Sequence, residues 1–288
     1  MRTFSIVIFS LFYVLNLYAQ APSNSIRCIY QESYIKDSAK PKDIRQDEFA
    51  LDIYPDGKSA FYSVYEKAIR TSRDSMLHIG MTATEVINQQ ADMPRTHLYF
   101  EYYKNVPAKG TYRCYDKVVK MYCYEEKLPS LQWNMVPETK ALLGHTCQKA
   151  TATIDGRTWE VWFTPQIPIA EGPWLLCELP GLVLEATDTE GIFHFTAIEL
   201  KSFTGELEEP DTKQIIRCTR KEFLTLRQNY ENDSTSRLRA ITGRNLQVLG
   251  ADGKPMKSKK NWPTSSKNSL NQERIFSGLI LYNPYKKV

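Results

Sequence analysis

Glu171-Gly-Pro-Trp-Leu-Leu-Cys-Glu-Leu-Pro-Gly-Leu-Val-Leu-Glu-Ala-Thr-Asp188 decides the fold. Its Gly-Pro and Pro-Gly punctuations bracket apolar runs too short for helices and too ordered for a linker, so the stretch reads as a sharp turn inside a buried sheet. Upstream, Thr146 to Ile154 alternates, Asp155-Gly156 is a preferred two-residue hairpin turn, and Arg157 to Thr164 runs back beside the first strand. Trp133 to Val136 reads as a short strand and Pro165 to Pro173 as a proline-rich loop. Trp174 to Cys177, Leu182 to Thr187 and Ile192 to Leu200 complete an antiparallel meander, turning at Pro180-Gly181 and Thr189-Glu190-Gly191.

Working outward, Ser25 to Tyr34 is a first strand rich in β-branched and aromatic residues, and Asp37 to Asp47 is a charged connection. Phe49 to Tyr54 and Ser59 to Tyr65 form a hairpin about Pro55-Asp56-Gly57-Lys58. Glu66 to Leu77 is helical, and Thr82-x-x-Glu85 is a capping box opening a short helix that ends before Pro94. Thr96 to Tyr103 and two pieces within Tyr112 to Tyr124 return to strand composition. Lys213 to Cys218 is a further strand, and Thr219-x-x-Glu222 caps a helix from Arg220 to about Glu231. The expected fold is mainly β with a few helices: a large curved antiparallel sheet, one face covered by short helices.

The N-terminus sets the compartment. Arg2, the apolar run Phe4 to Leu17 and Ala19 predict a secretory signal peptide over residues 1–20, without the cysteine that a lipid anchor needs. The β-rich body is expected over 21–235. A basic extension follows over 236–288, with a docking strand over 275–282. The extension carries eleven Lys/Arg against two Asp/Glu, so the net charge of +4 hides a body near −6. Its lysines 254, 257, 259, 260 and 267 could meet an anionic envelope surface or simply water; nucleic acid is not expected outside the cell. An even set of six cysteines in an oxidising compartment, Cys28, Cys114, Cys123, Cys147, Cys177 and Cys218, predicts disulfides, with Cys147–Cys177 the first candidate pair. Without Cys-x-x-Cys and with four histidines, no metal site or cofactor is expected. No second apolar stretch is long enough to span a membrane in the mature chain.

Between Gly144 and Asp188 the chain resembles the GLPGLI family of exported Bacteroidetes-type proteins. The signature falls on Glu178-Leu179-Pro180-Gly181-Leu182-Val183, where Glu178 replaces the first glycine and Val183 the last isoleucine. Cys147-x-Lys149-Ala150, Gly156-Arg157, Trp162-Phe163-Thr164, Ile167-Pro168-Ile169, Gly172-Pro173-Trp174 and Asp188 extend the likeness. It implies an exported β-rich protein with Gly172, Pro173, Leu179, Pro180, Gly181 and Asp188 as structural positions. Glutamate at 178 implies a relaxed turn or a side chain turned to solvent.

No catalytic constellation emerges. Asp188, Glu190 and Glu199 are the carboxylates to weigh for acid–base pairing, and Asp188 and Glu190 read more simply as strand ends at a turn. His145 beside Cys147 lacks a third group to orient its imidazole, and His194 sits among strand aromatics. Trp159, Trp162, Trp174, Tyr122 and Tyr124 exceed a minimal core and are the candidate binding residues, on an aromatic sheet face or edge. The expected function is a non-enzymatic envelope binding or structural protein, taking an envelope protein, peptide or lipid. The alternative is a hydrolase whose Asp, Glu and His groups assemble from distant segments.

Overall fold

The computed structural model describes residues 25–35, 42, 44–96, 98–211 and 214–232. The expected leader (1–20) and basic extension (236–288, with its strand 275–282) lie outside the described residues. The first half supplies β1 (Ser25–Ile35), β2 (Ile44–Ile53), β3 (Ser59–Ser63), helices α1 (Val64–His78) and α2 (Ala83–Gln89), β4 (Glu101–Lys104), β5 (Thr111–Val118) and β6 (Lys120–Lys127). The second half supplies β7 (Asn134–Leu142), β8 (His145–Ile154), β9 (Arg157–Thr164), β10 (Leu182–Asp188), β11 (Phe193–Phe203), β12 (Ile216–Arg217) and helix α3 (Arg220–Asn232). All twelve strands join one sheet in the order β12-β6-β5-β4-β3-β2-β1-β11-β10-β9-β8-β7. The β1–β6 and β7–β11 meanders meet where β1 pairs with β11. Every ladder is antiparallel except β12 on β6.

Period-two alternation sorts the side chains. Cys28, Tyr30, Phe49, Leu51, Phe61, Tyr102, Trp159 and Phe195 belong to the large inner core, while Ile29, Ala50, Ala60, Tyr62, Tyr103 and Tyr115 form a second cluster on the outer face. The sheet is strongly curled. Trp174 packs against Trp159 of β9 at 5.9 Å and against Tyr102 of β4 at 6.4 Å, so those two strands' rings lie within about 12 Å across the concave side. A flat sheet would hold strands six spacings apart at about 29 Å. The hollow is filled by residues 165–181, which include the first part of the Glu171–Asp188 stretch. Lys104, fully buried, pairs with Glu171 and donates to the Gly172 carbonyl at 3.0 Å. Ser59 Oγ donates to Glu171 at 3.1 Å, and Tyr30 Oη donates to the Val183 carbonyl at 2.5 Å. Gly172 and Gly181 are required by close approach: a Cβ on the first would run into the Leu176 carbonyl and Val183, and on the second into the Thr164 carbonyl.

The helices divide between the two faces rather than covering one. On the outer side, α1 carries Lys67 over the Tyr62 ring and Arg70 against Glu101. The inner side receives α3: Phe223 packs on Tyr122 and Tyr124, Arg227 pairs with Asp116 of β5, and Arg220 reaches Asp155 in the β8–β9 turn at 2.7 Å. Both capping boxes form, at Thr82/Glu85 and at Thr219/Glu222.

Several element boundaries differ from the sequence reading. Trp174 to Cys177 is not a strand: Trp174 adopts φ +51, and the Leu176 and Cys177 amides bond locally to the Pro173 and Leu175 carbonyls. β2 begins at Ile44, inside the expected charged connection, because β1 continues far enough to pair with it. β4 is shorter than Thr96 to Tyr103, since Thr96 Oγ1 takes the Leu98 amide and diverts the chain before the ladder starts. The strand at 213–218 shrinks to two residues. β7 runs on to Leu142 as an edge strand, with a bulge between Val136 and Thr139 that accommodates Pro137, which has no amide to donate.

Candidate functional site

The candidate binding aromatics fall into separate places. Trp159, Trp174 and Tyr124 are buried, and they belong to a continuous inner array: Phe195–Trp159–Trp174–Tyr102–Tyr112–Tyr124–Phe223, with consecutive centroids 5.5 to 6.4 Å apart. Tyr122 is half-buried under Phe223 at 5.8 Å. These rings fill the concave side instead of lining an open groove, and that expectation is corrected for them. Trp162 alone of the five alternates to the face opposite Trp159, where it is partly buried.

The motif residues are structural. Asp188 Oδ1 accepts the Ile192 and Phe193 amides at 2.8 and 2.6 Å and its carboxylate pairs with Arg157, so it closes the β10–β11 turn. Leu179 and Pro173 are buried; Pro180 is exposed. Glu178 adopts φ +73, the left-handed region glycine takes without cost, so its turn is not relaxed. Its side chain does point outward, and it accepts the Leu131 amide at 3.1 Å.

No disulfide joins Cys28, Cys114, Cys123, Cys147, Cys177 or Cys218; all six are free thiols, which corrects that expectation. Cys218 lies beside Cys123, its amide donating to the Cys123 carbonyl at 3.0 Å, without a bond between the sulfurs, while Cys28, Cys114, Cys147 and Cys177 lie on β1, β5, β8 and the connection before β10; an even count carries no information on proximity. The Cys147 and Cys177 sulfurs rest against the carbonyls of His145 and Leu175, each within its own neighbourhood. Burial pushes the Cys28 thiol up to about 12 and the Cys177 thiol to about 11. His145 Nδ1 meets Gln166 at 3.1 Å, and Glu199 pairs with Lys201, so neither joins a catalytic group. Among the described residues no cluster of three or more His, Cys, Asp or Glu is placed to hold a metal, and no helix is long and apolar enough to cross a membrane.

Sequence reasoning missed a carboxyl pair on the inner face. Glu32 of β1 stands directly opposite Asp47 of β2, and both are buried. Asp47 is well served: Thr96 and Ser63 donate their hydroxyls, and the Glu48 amide donates at 2.7 Å. Among the described residues neither Glu32 oxygen has a hydrogen-bond partner. Burial, and then the Asp47 charge, push the Glu32 carboxyl up to about 9; burial lifts Asp47 to about 6 against the pull of its three donors. The signal was present in the strand pattern Cys28, Tyr30, Glu32, Tyr34, where one acid interrupts the buried series.

The outer face of β7–β11 presents a polar platform about Trp162. Lys140 Nζ lies 4.4 Å and Lys149 Nζ 5.8 Å from the indole centroid. Lys140 donates to Glu185 at 2.7 Å, His194 Nε2 lies 3.6 Å from Glu185, and Lys149 pairs with Glu160 at 3.1 Å. His194 and then Lys140 hold the Glu185 carboxyl below its ordinary value. Cation–π contacts and ion pairs thus hold an aromatic ring within a flat array of donors and acceptors.

A curled open sheet, its hollow filled by its own chain and a polar aromatic platform on its back, defines a β module built about a closed core. The chain belongs to the family described as "N-glycanase peptide, N-terminal domain", whose model matches residues 71–225, more than half of its length. Among solved structures it is similar to PNGF-II at 17% identity and TM-score 0.47, over 70% of this chain and 32% of that one. The chain therefore spans about a third of the length of that protein. A structure described as a "putative outer membrane lipoprotein-sorting protein domain from Vibrio parahaemolyticus" aligns at 10% identity and TM-score 0.25, over 68% of this chain and 92% of that one. No curated protein sequence matches.

Proposed function

We propose that this protein is a non-catalytic binding module of the cell envelope that holds a carbohydrate chain on its outer sheet face. The observation that carries the reading is Trp162, a partly exposed indole ringed by Lys140, Lys149, Glu160 and Glu185 on an open sheet. Sugar rings present C–H faces that stack on an indole, and their hydroxyls bond to carboxylates and ammonium groups at its rim. Membership of a family named for the N-terminal domain of an N-glycanase supports glycan as the ligand class. Export by a signal peptide and membership of the GLPGLI family are proposed as part of the same reading, since an exported module would meet glycans.

Hydrolysis is the second reading, and the Glu32–Asp47 pair favours it because its two carboxyls are held at different pKa values. Against it, Glu32 is fully buried and Asp47 is 2% exposed, which leaves a substrate no approach. The test is titration of an N-glycopeptide and its sugar-free counterpart into the full chain, followed by tryptophan fluorescence. Binding should require the sugar and fall at least tenfold in Trp162→Ala. Equal affinity in that variant, or equal binding of the bare peptide, defeats the proposal; sugar release lost in Asp47→Asn would favour the hydrolase.

A further inference from the structure

The Trp162 platform continues past the indole toward β11. Across β8, β9, β10 and β11 the ladders set Lys149, Trp162, Glu185 and Thr196 side by side in one row. Two residues further along the strands, Thr151, Glu160, Thr187 and His194 make the next row. Three strand steps give each row a length of about 14 Å, and the rows lie about 7 Å apart. That area exceeds a single sugar ring, and within it only the indole offers a face for stacking. The other side chains end in hydroxyl, carboxylate, ammonium or imidazole groups.

The charges decide which saccharide the surface suits. Lys140 is matched by Glu185 at 2.7 Å, and Lys149 by Glu160 at 3.1 Å and Glu138 at 3.6 Å. Three carboxylates thus answer two ammonium groups, and an acidic sugar would meet cations already committed to their own partners. Toward β11 formal charge gives way to groups that both donate and accept. The His194 side chain is 46% exposed, with Nε2 at 3.6 Å from Glu185 and at 3.0 Å from the Thr196 hydroxyl, and Thr187 is its neighbour across the ladder. Sugar hydroxyls have the same double capacity, so they can pair with such a surface in either sense.

We propose that the platform takes a neutral saccharide of at least two rings, the first stacked on Trp162 and the second laid toward β11 on His194 and Thr196. This inference rests on the carbohydrate reading and names the ligand of that same surface.

The probes are one N-glycopeptide in three forms: a neutral glycan of several rings, the same glycan ending in sialic acid, and the glycan trimmed to a single ring. Each is titrated calorimetrically into the full chain. The neutral form should bind about tenfold more tightly than either of the others. His194→Ala and Thr196→Val should each weaken the neutral form about fivefold, the effect of a lost hydrogen bond, and the single-ring form less than twofold. Equal affinity for the single-ring form, tighter binding of the sialylated form, or unchanged binding of the neutral form in both variants overturns the extension toward β11 and leaves the Trp162 reading standing. Unchanged binding in Trp162→Ala removes the carbohydrate reading itself, and this inference with it.

Discussion

Replacing Glu32 by glutamine should flatten the dependence of stability on pH, and the size of the effect follows from where its proton resides. In the folded chain burial and the facing Asp47 raise the Glu32 carboxyl from 4.5 to about 9. Between pH 6 and 8 the native protein therefore keeps a proton that the unfolded chain has released. The Glu32 contribution to stability is fullest below pH 4.5 and declines as pH rises toward 9, because at this group the unfolded state binds fewer protons. One proton corresponds to about 1.4 kcal/mol per pH unit, so the step from pH 6 to 8 costs about 2.7 kcal/mol. Asp47, raised to about 6, contributes its own loss mainly below this window. Glutamine is neutral and of nearly the same shape as the protonated acid, so any fixed cost of burying its amide cancels between the two pH values. Urea unfolding of both chains at pH 6 and 8 should show the wild type losing about 2.7 kcal/mol more than Glu32→Gln. A difference below about 0.5 kcal/mol, within the ordinary scatter of such comparisons, would refute the argument that Glu32 is sealed and unpartnered.

Two further substitutions probe how the hollow is filled. Lys104→Met leaves Glu171 without its buried cation, and should cost about 3 to 5 kcal/mol in urea unfolding; a loss under 1 kcal/mol would show that the pair does not anchor residues 165–181. Gly181→Ala drives a methyl group into the Thr164 backbone, and should lower the urea midpoint by an amount equivalent to at least about 2 kcal/mol. An unchanged midpoint would mean that the β9–β10 connection yields easily.

Most of the sheet was legible because its strands alternate and its turns use residues with a mechanism. Asp155-Gly156 adopts φ +50 and +77, as a two-residue hairpin requires, and Arg157–Thr164 forms β9 with the bounds its pattern suggested. Both Thr-x-x-Glu boxes marked helix starts because their hydrogen bonds are local. What was not legible depends on long-range placement. Trp174 to Cys177 has strand composition, yet its amides turn inward on themselves because Pro173 and the close packing at Gly172 bend the chain. Composition also could not show on which side of the sheet an aromatic falls once the sheet curls: Trp159 and Trp162 are three residues apart on one strand, and only Trp162 reaches water.

Among the described residues β7 has no strand on its outer side, and that open margin has a consequence in a crowded compartment. An unpaired strand invites copies of itself to zip on, yet here Pro137 denies one donor, the bulge at Val136/Thr139 breaks the repeat, and Glu138 and Lys140 put charge along the rim. The opposite margin is only two residues long. A sheet of this breadth can thus remain unclosed without serving as a seed for fibrous growth.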